Sequence, residues 1–163
     1  MEAFGVRFAV NDPRRFEILR SLFGEVKRDK DAGRFRDPAE WIRLVPDQIK
    51  ARFSWPTPEE REHWLTIRNS TIVAVPEPAQ QLGAVWDFYR VFEAIEESEY
   101  DLLGCDMAGE GVAEMRINPH AYPYGGVGPL IALAEAFGFP VLGVNEYGKY
   151  ESREELLGGA GGS

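Results

Sequence analysis

Two apolar alternations that flank a glycine-bearing turn constrain this chain more than any other feature. Leu103, Cys105 and Met107 alternate along Tyr100–Met107; Ala113, Met115 and Ile117 alternate along Val112–Asn118; Ala108-Gly109-Glu110-Gly111 joins the two runs. Side chains of a strand change face at every residue, so a hairpin buries both sets only if odd residues pair with odd ones. Pairing Met107 with Ala113 meets that condition and leaves a five-residue loop, 108–112. The same register sets Asp106 opposite Glu114, with Arg116 one pair away opposite Gly104. Two facing carboxylates are unfavourable, so Arg116, solvent, a cation or a basic partner has to offset them.

The flanking segments extend the hairpin into an α/β (α+β) pattern. Thr71–Val75 is a β-branched run. Pro78 opens a helix to about Ser98 with the stripe Leu82, Val85, Trp86, Tyr89, Phe92 and Ile95. Pro129–Phe137 reads as an apolar helix stopped by Gly138, and Val141–Asn145 as a final strand. Residues 71–145 therefore have the β-α-β-β-α-β order of a ferredoxin-like core. At the N-terminus, Phe4–Val10 is a strand and Asp12-Pro13 opens a helix carrying Phe16, Leu19 and Phe23, with Gly24 as its stop. This pair is expected to add to one edge of the sheet. Residues 25–37 read as a charged connector, and Asp37-Pro38-x-Glu40 and Thr57-Pro58-Glu59-Glu60 as helix-opening capping boxes. Glu151–Leu157 forms a helical turn, and the end GGAGGS (158–163) is expected to lack structure. The whole reads as a single domain over residues 1–157, with an N-terminal region of residues 1–70 and a core of residues 71–150.

The 163 residues suffice to bury a core without a covalent staple. The single cysteine, Cys105, excludes an internal disulfide and fits a reducing, cytoplasmic setting. No apolar run is long enough to span a bilayer, and Glu2 stands where a secretory signal wants basic residues.

Charge is the main functional signal. The net is −9, but residues 1–70 carry 14 basic and 12 acidic groups, whereas residues 71–163 carry 4 basic and 15 acidic ones. Such a body repels nucleic acid and speeds encounter with a basic protein. The candidate contacts are Asp106, Glu110 and Glu114 on the hairpin, with Glu97 and Asp101 before it. Segment 27–68 interleaves ten basic residues with Phe35, Trp41, Phe53, Trp55 and Trp64, but eight acidic residues share it. Core tryptophans and ion pairs to the acidic region account for it better than nucleic-acid stacking does.

A second candidate is the loop into the apolar helix, with His120, Tyr122, Tyr124, Gly125, Gly126 and Gly128. Glycines at a helix start let backbone amides approach an anion, and His120 could move a proton. Gly126-Val127-Gly128 resembles the acyl-coenzyme-A segment of the GNAT acetyltransferases, although Pro123 stands where that family has Gln or Arg. The resemblance implies acyl transfer, with the cofactor pyrophosphate on amides near Gly126 and Gly128. Cys105 on the apolar alternation reads as a buried thiol, and two histidines, His63 and His120, are too few for a His-rich metal site. No catalytic residue set, cofactor motif or metal cluster emerges. The leading expectation is a non-enzymatic binding protein that offers an acidic surface to a basic protein, as an immunity-like inhibitor of a toxin would. A small acyltransferase is the alternative, and a dimeric structural or regulatory domain stands third.

Overall fold

In the computed structural model, residues 4–70, 78–120 and 126–161 are described. The chain opens with strand β1 (Phe4–Ala9) and helix α1 (Pro13–Ala32). Asp12 caps α1 by accepting the amides of Arg14 and Arg15 at 3.0 and 3.2 Å. The helix does not stop at Gly24. A mid-helix glycine costs only about 1 kcal/mol, and Val26 beyond it is buried in the core. Lys27 and Asp31 also pair one turn apart at 2.6 Å. The helix ends at Gly33, whose φ of 66° is the left-handed conformation glycine adopts without strain. Much of the expected connector 25–37 is therefore helix.

Four helices follow. They are α2 (Pro38–Leu44), α3 (Asp47–Lys50), α4 (Pro58–Ser70) and α5 (Pro78–Gln81). Thr57 and Glu60 exchange the side-chain-to-amide bonds of a capping box, and Asp37 caps α2 by accepting the amide of Ala39. The expected helix 78–98 is two pieces, α5 and then α6 (Phe88–Glu97). Gly83 at φ 77° turns the chain between them. Ser54 holds the turned segment, its amide donating to the Trp86 carbonyl and its carbonyl accepting from Phe88, and Asp87 recaps α6 through the Tyr89 amide at 2.8 Å. Val85, expected on the apolar stripe, is exposed in consequence.

After α6 come β2 (Tyr100–Gly109), β3 (Val112–Pro119), α7 (Gly128–Ala136), β4 (Val141–Glu146), β5 (Lys149–Ser152) and α8 (Arg153–Gly161). Helix α8 extends into the glycine-rich end. Strand β5 pairs with β4 and carries no strong sequence signal, since its residues Lys149-Tyr150-Glu151-Ser152 are polar but for the tyrosine.

Among the described residues the five strands form one antiparallel sheet in the order β2-β3-β1-β4-β5. Strand β1 thus sits in the middle, between β3 and β4, and does not extend an edge. Hairpin-like neighbours are the easy inference from sequence; a central N-terminal strand arises only through pairing across about a hundred residues. Thr71–Val75, expected to be the first strand of the core, lies outside the described residues. One face of the sheet carries the core. Val6 and Phe8 of β1, Ala113, Met115 and Ile117 of β3, and Val141 and Val144 of β4 are buried there against Phe16, Leu19, Leu22, Phe23 and Val26 of α1. Helix α7 is buried almost all round because α6 and α5 cover the side that the sheet does not. Trp41 on α2 is fully enclosed and stacks on Phe92 at 5.1 Å.

Helix α4 is tied on differently. None of its described side chains is fully buried. Arg61 pairs with the buried Glu93 of α6 and lies over the Tyr89 ring. Arg90 reaches the other oxygen of Glu93 at 3.3 Å and stacks on Trp64 at 4.2 Å.

Candidate functional site

The hairpin register is the expected one at its centre. Met107 pairs with Ala113, Asp106 with Glu114 and Gly104 with Arg116. Two irregularities flank that centre. Leu103 is bulged out, so Leu102 and not Leu103 meets Ile117 and enters the core. A second bulge beyond Met107 brings Gly109 opposite Val112 and shortens the loop to Glu110-Gly111. The first bulge leaves Leu103 42% exposed, while Met107, which keeps its partner Ala113, is 48% exposed because it stands at the end of the sheet. Both were expected inside. Bulges on an edge strand are a common way of aiming side chains outward and blunting the edge, and β2 is an edge strand.

The sheet face opposite the core carries the charged residues Asp106, Glu114, Arg7 and Arg116 among glycines and polar residues. One row across it runs Asp106, Glu114, Arg7, Gly143, Ser152; the next runs Gly104, Arg116, Gly5, Asn145, Tyr150. The repulsion between Asp106 and Glu114 is offset within the chain. Arg7 reaches Glu114 at 3.2 Å, while Arg20 and Arg116 reach Asp106 at 3.2 and 3.4 Å. The glycines make room for these flat-lying groups: a Cβ at Gly104 would meet the Arg116 guanidinium at 2.8 Å, and one at Gly143 the Tyr150 hydroxyl at 2.3 Å.

The other acidic candidates spread along β2. Glu110 stands exposed in the turn, while Glu97 and Asp101 lie at the opposite end of the strand, roughly 30 Å away at 3.3 Å per residue. There they are joined by Glu96 and Glu99, so four carboxylates fall within six residues. Lys30 sits beneath this group. Its Nζ donates to the carbonyls of Ile95 and Ser98 at 2.8 Å, at the negative end of α6. Burial lowers its pKa, and Asp101 and Glu96 act in the opposite direction.

His120 belongs to this end of β2 as well. Its Nε2 is 2.8 Å from Asp101 Oδ2, and its amide donates to the Glu99 carbonyl at 2.9 Å. This placement depends on the bulge at Leu103, which shifts the register by one beyond it; an unbroken hairpin would set His120 elsewhere, and no sequence signal marks the bulge. Tyr122, Tyr124 and Gly125 lie outside the described residues. Gly126 and Gly128 are buried at the start of α7, where a Cβ on Gly128 would meet Gln81 Oε1 and the Trp86 ring at 3.0 Å. Gln81 is held there by the Trp86 indole N–H at 3.0 Å. The amides at this helix start thus lie under side chains of α5 and the turn after it. The structure separates His120 from Gly126 and Gly128 in environment, one exposed among carboxylates and the others enclosed.

Cys105 is buried, and burial together with the Asp106 carboxylate pushes its thiol up to about 12. Such a thiol is protonated and a poor nucleophile at neutral pH. Among the described residues no group of three or more His, Cys, Asp and Glu side chains could hold a metal ion, and no helix is long and apolar enough to cross a membrane. No family model, curated protein or solved structure matches the chain.

Proposed function

We propose that this chain is a non-enzymatic binding protein that meets a basic protein along its β2 edge. The observation that carries the reading is the combination on that edge. Glu96, Glu97, Glu99 and Asp101 crowd one end and Glu110 marks the other; between them a bulge exposes Leu103, and Met107 is exposed where the sheet ends. Carboxylates supply long-range attraction and orientation; exposed apolar side chains supply the desolvated contact that most affinity comes from. Asp106 and Glu114 play a lesser part here, because Arg7, Arg20 and Arg116 already answer them.

An inhibitor in the manner of an immunity protein, covering the basic active site of a nucleic-acid-directed toxin, is the specific form of this function that fits a small chain of net charge −9. The strand order β2-β3-β1-β4, with α1 and α7 as crossovers, supports a ferredoxin-like frame made of β1, α1, β2, β3, α7 and β4, into which the α2–α6 segment is inserted. Enclosure of Gly126 and Gly128 beneath Gln81 and Trp86 weighs against acyl transfer, and titration with acetyl-coenzyme A is expected to give no heat.

The test is affinity capture from the native host's lysate, with retained proteins identified by mass spectrometry. The wild-type chain should hold a basic protein that the triple variant Glu97→Gln/Asp101→Asn/Glu110→Gln releases. If every retained protein is acidic, or none is lost from the variant, the reading fails.

A further inference from the structure

Gly24 stands at the middle of the 20-residue helix α1, on its exposed side. A Cβ placed there meets nothing within 4 Å, so no contact inside the described chain calls for glycine, yet glycine in a helix interior costs about 1 kcal/mol relative to alanine. A bare backbone on a helix surface allows another backbone to come close. Ser21, one turn earlier, is also small and exposed. Beside them lies a groove of about 400 Å³ lined by Glu17, Ile18, Ser21, Leu22, Glu25 and Leu44. Ile18 and Leu44 are each 39% exposed in it.

From these features we infer that the α1 face binds a second copy of this chain, with the two α1 helices antiparallel. Charge complementarity selects the occupant and the register. Setting Ser21 against Gly24 of the second copy brings Glu17 against Arg28 of that copy, and the two-fold axis repeats both contacts. Glu17 and Arg28 are exposed and share the outward side of α1 with Ser21 and Gly24, at the helical spacing of 3.6 residues per turn. Arg28 has no ion-pair partner among the described residues. Two chains of net charge −9 repel each other, and α1 belongs to the region, residues 1–70, where 14 basic groups balance 12 acidic ones, so approach through this side is the least opposed. The contact is made by α1 and α2 and does not depend on the partner proposed at the β2 edge.

The symmetry gives a sharp test. Glu17→Arg leaves two arginines facing two arginines across the two-fold axis, and Arg28→Glu leaves glutamate facing glutamate, so each variant alone should be monomeric. An equimolar mixture restores both Glu–Arg contacts in a heterodimer. Light scattering on the eluting full chain at about 0.1 mM, above the Kd expected of a small interface, should give twice the 18.4 kDa chain mass for the wild type. It should give the chain mass for each single variant and twice the chain mass again for the mixture. Gly24→Leu, which favours the helix while filling the contact, should also halve the wild-type mass. A monomeric wild type, single variants that remain dimeric, or a mixture that stays monomeric would each overturn the inference.

Discussion

Asp29 is gripped by one arginine at three points. The Arg36 amide and Nε donate to Oδ2 at 2.9 and 2.8 Å, and Nη2 donates to Oδ1 at 2.8 Å. These bonds hold the Asp29 carboxyl below its ordinary value of 3.8 despite the opposing cost of burial. A depressed carboxyl contributes stability that is present above the unfolded value and is lost as pH falls through the folded one. Asp29→Asn should therefore cost about 1–3 kcal/mol at neutral pH by chemical denaturation, and the variant should lose less further stability than the wild type below pH 3.8. Cys105 has the opposite sign. Its thiol is raised from 9.0 to about 12, so the unfolded chain releases this proton first, and stability should fall as pH climbs from 9.0 towards 12. At mildly alkaline pH the native thiol should react with a disulfide reagent only as fast as the protein opens, and denaturant should release it; prompt reaction of the native protein would contradict its burial. Burial of Cys105 was legible in the alternation of its neighbours. The Asp29–Arg36 grip was not, because it needed α1 to continue through a segment whose charges read as a connector.

At the scale of elements, signals carried by adjacent residues were readable and those decided by distant ones were not. The caps at Asp12, Asp37 and Thr57 form as their sequences imply, since a cap is settled within a few neighbouring residues. Gly24 and Gly83 are both glycines after a helical run, yet α1 passes the first and α5 gives way at the second. Buried Val26 carries one helix onward; at the other, Ser54, far back in the chain, captures the segment beside Trp86 and Phe88. The fate of α4 is equally non-local, since Glu93 on α6 is what it answers to. Glu93→Gln removes the charged carboxylate that Arg61 and Arg90 share, and breaking a buried pair this way costs about 3–5 kcal/mol. Amides of α4 should then exchange faster in hydrogen-exchange measurements while those of β1 and β3 keep their order. Unchanged exchange in α4 would show that Trp64, Leu65 and Ile67 hold the helix without the ionic clamp.

For the whole molecule, the sequence located the acidity in residues 71–163, and the fold redistributes it. Arginines from β1, α1 and β3 neutralise the central Asp106–Glu114 pair, which leaves carboxylates at the two ends of β2 and apolar side chains between. The hairpin register was readable because odd must pair with odd; the bulge that exposes Leu103 was not, because it has no residue signature. The central claim is that this edge attracts and seats a basic protein. The most direct measurement is the association rate of the captured partner with the wild type and with Glu97→Gln/Asp101→Asn/Glu110→Gln across salt concentration. Charge steering predicts a wild-type rate that falls at least about tenfold between roughly 50 and 300 mM salt. The variant should start slower at low salt and converge on the wild type at high salt. Rates that ignore both salt and the three substitutions would contradict it.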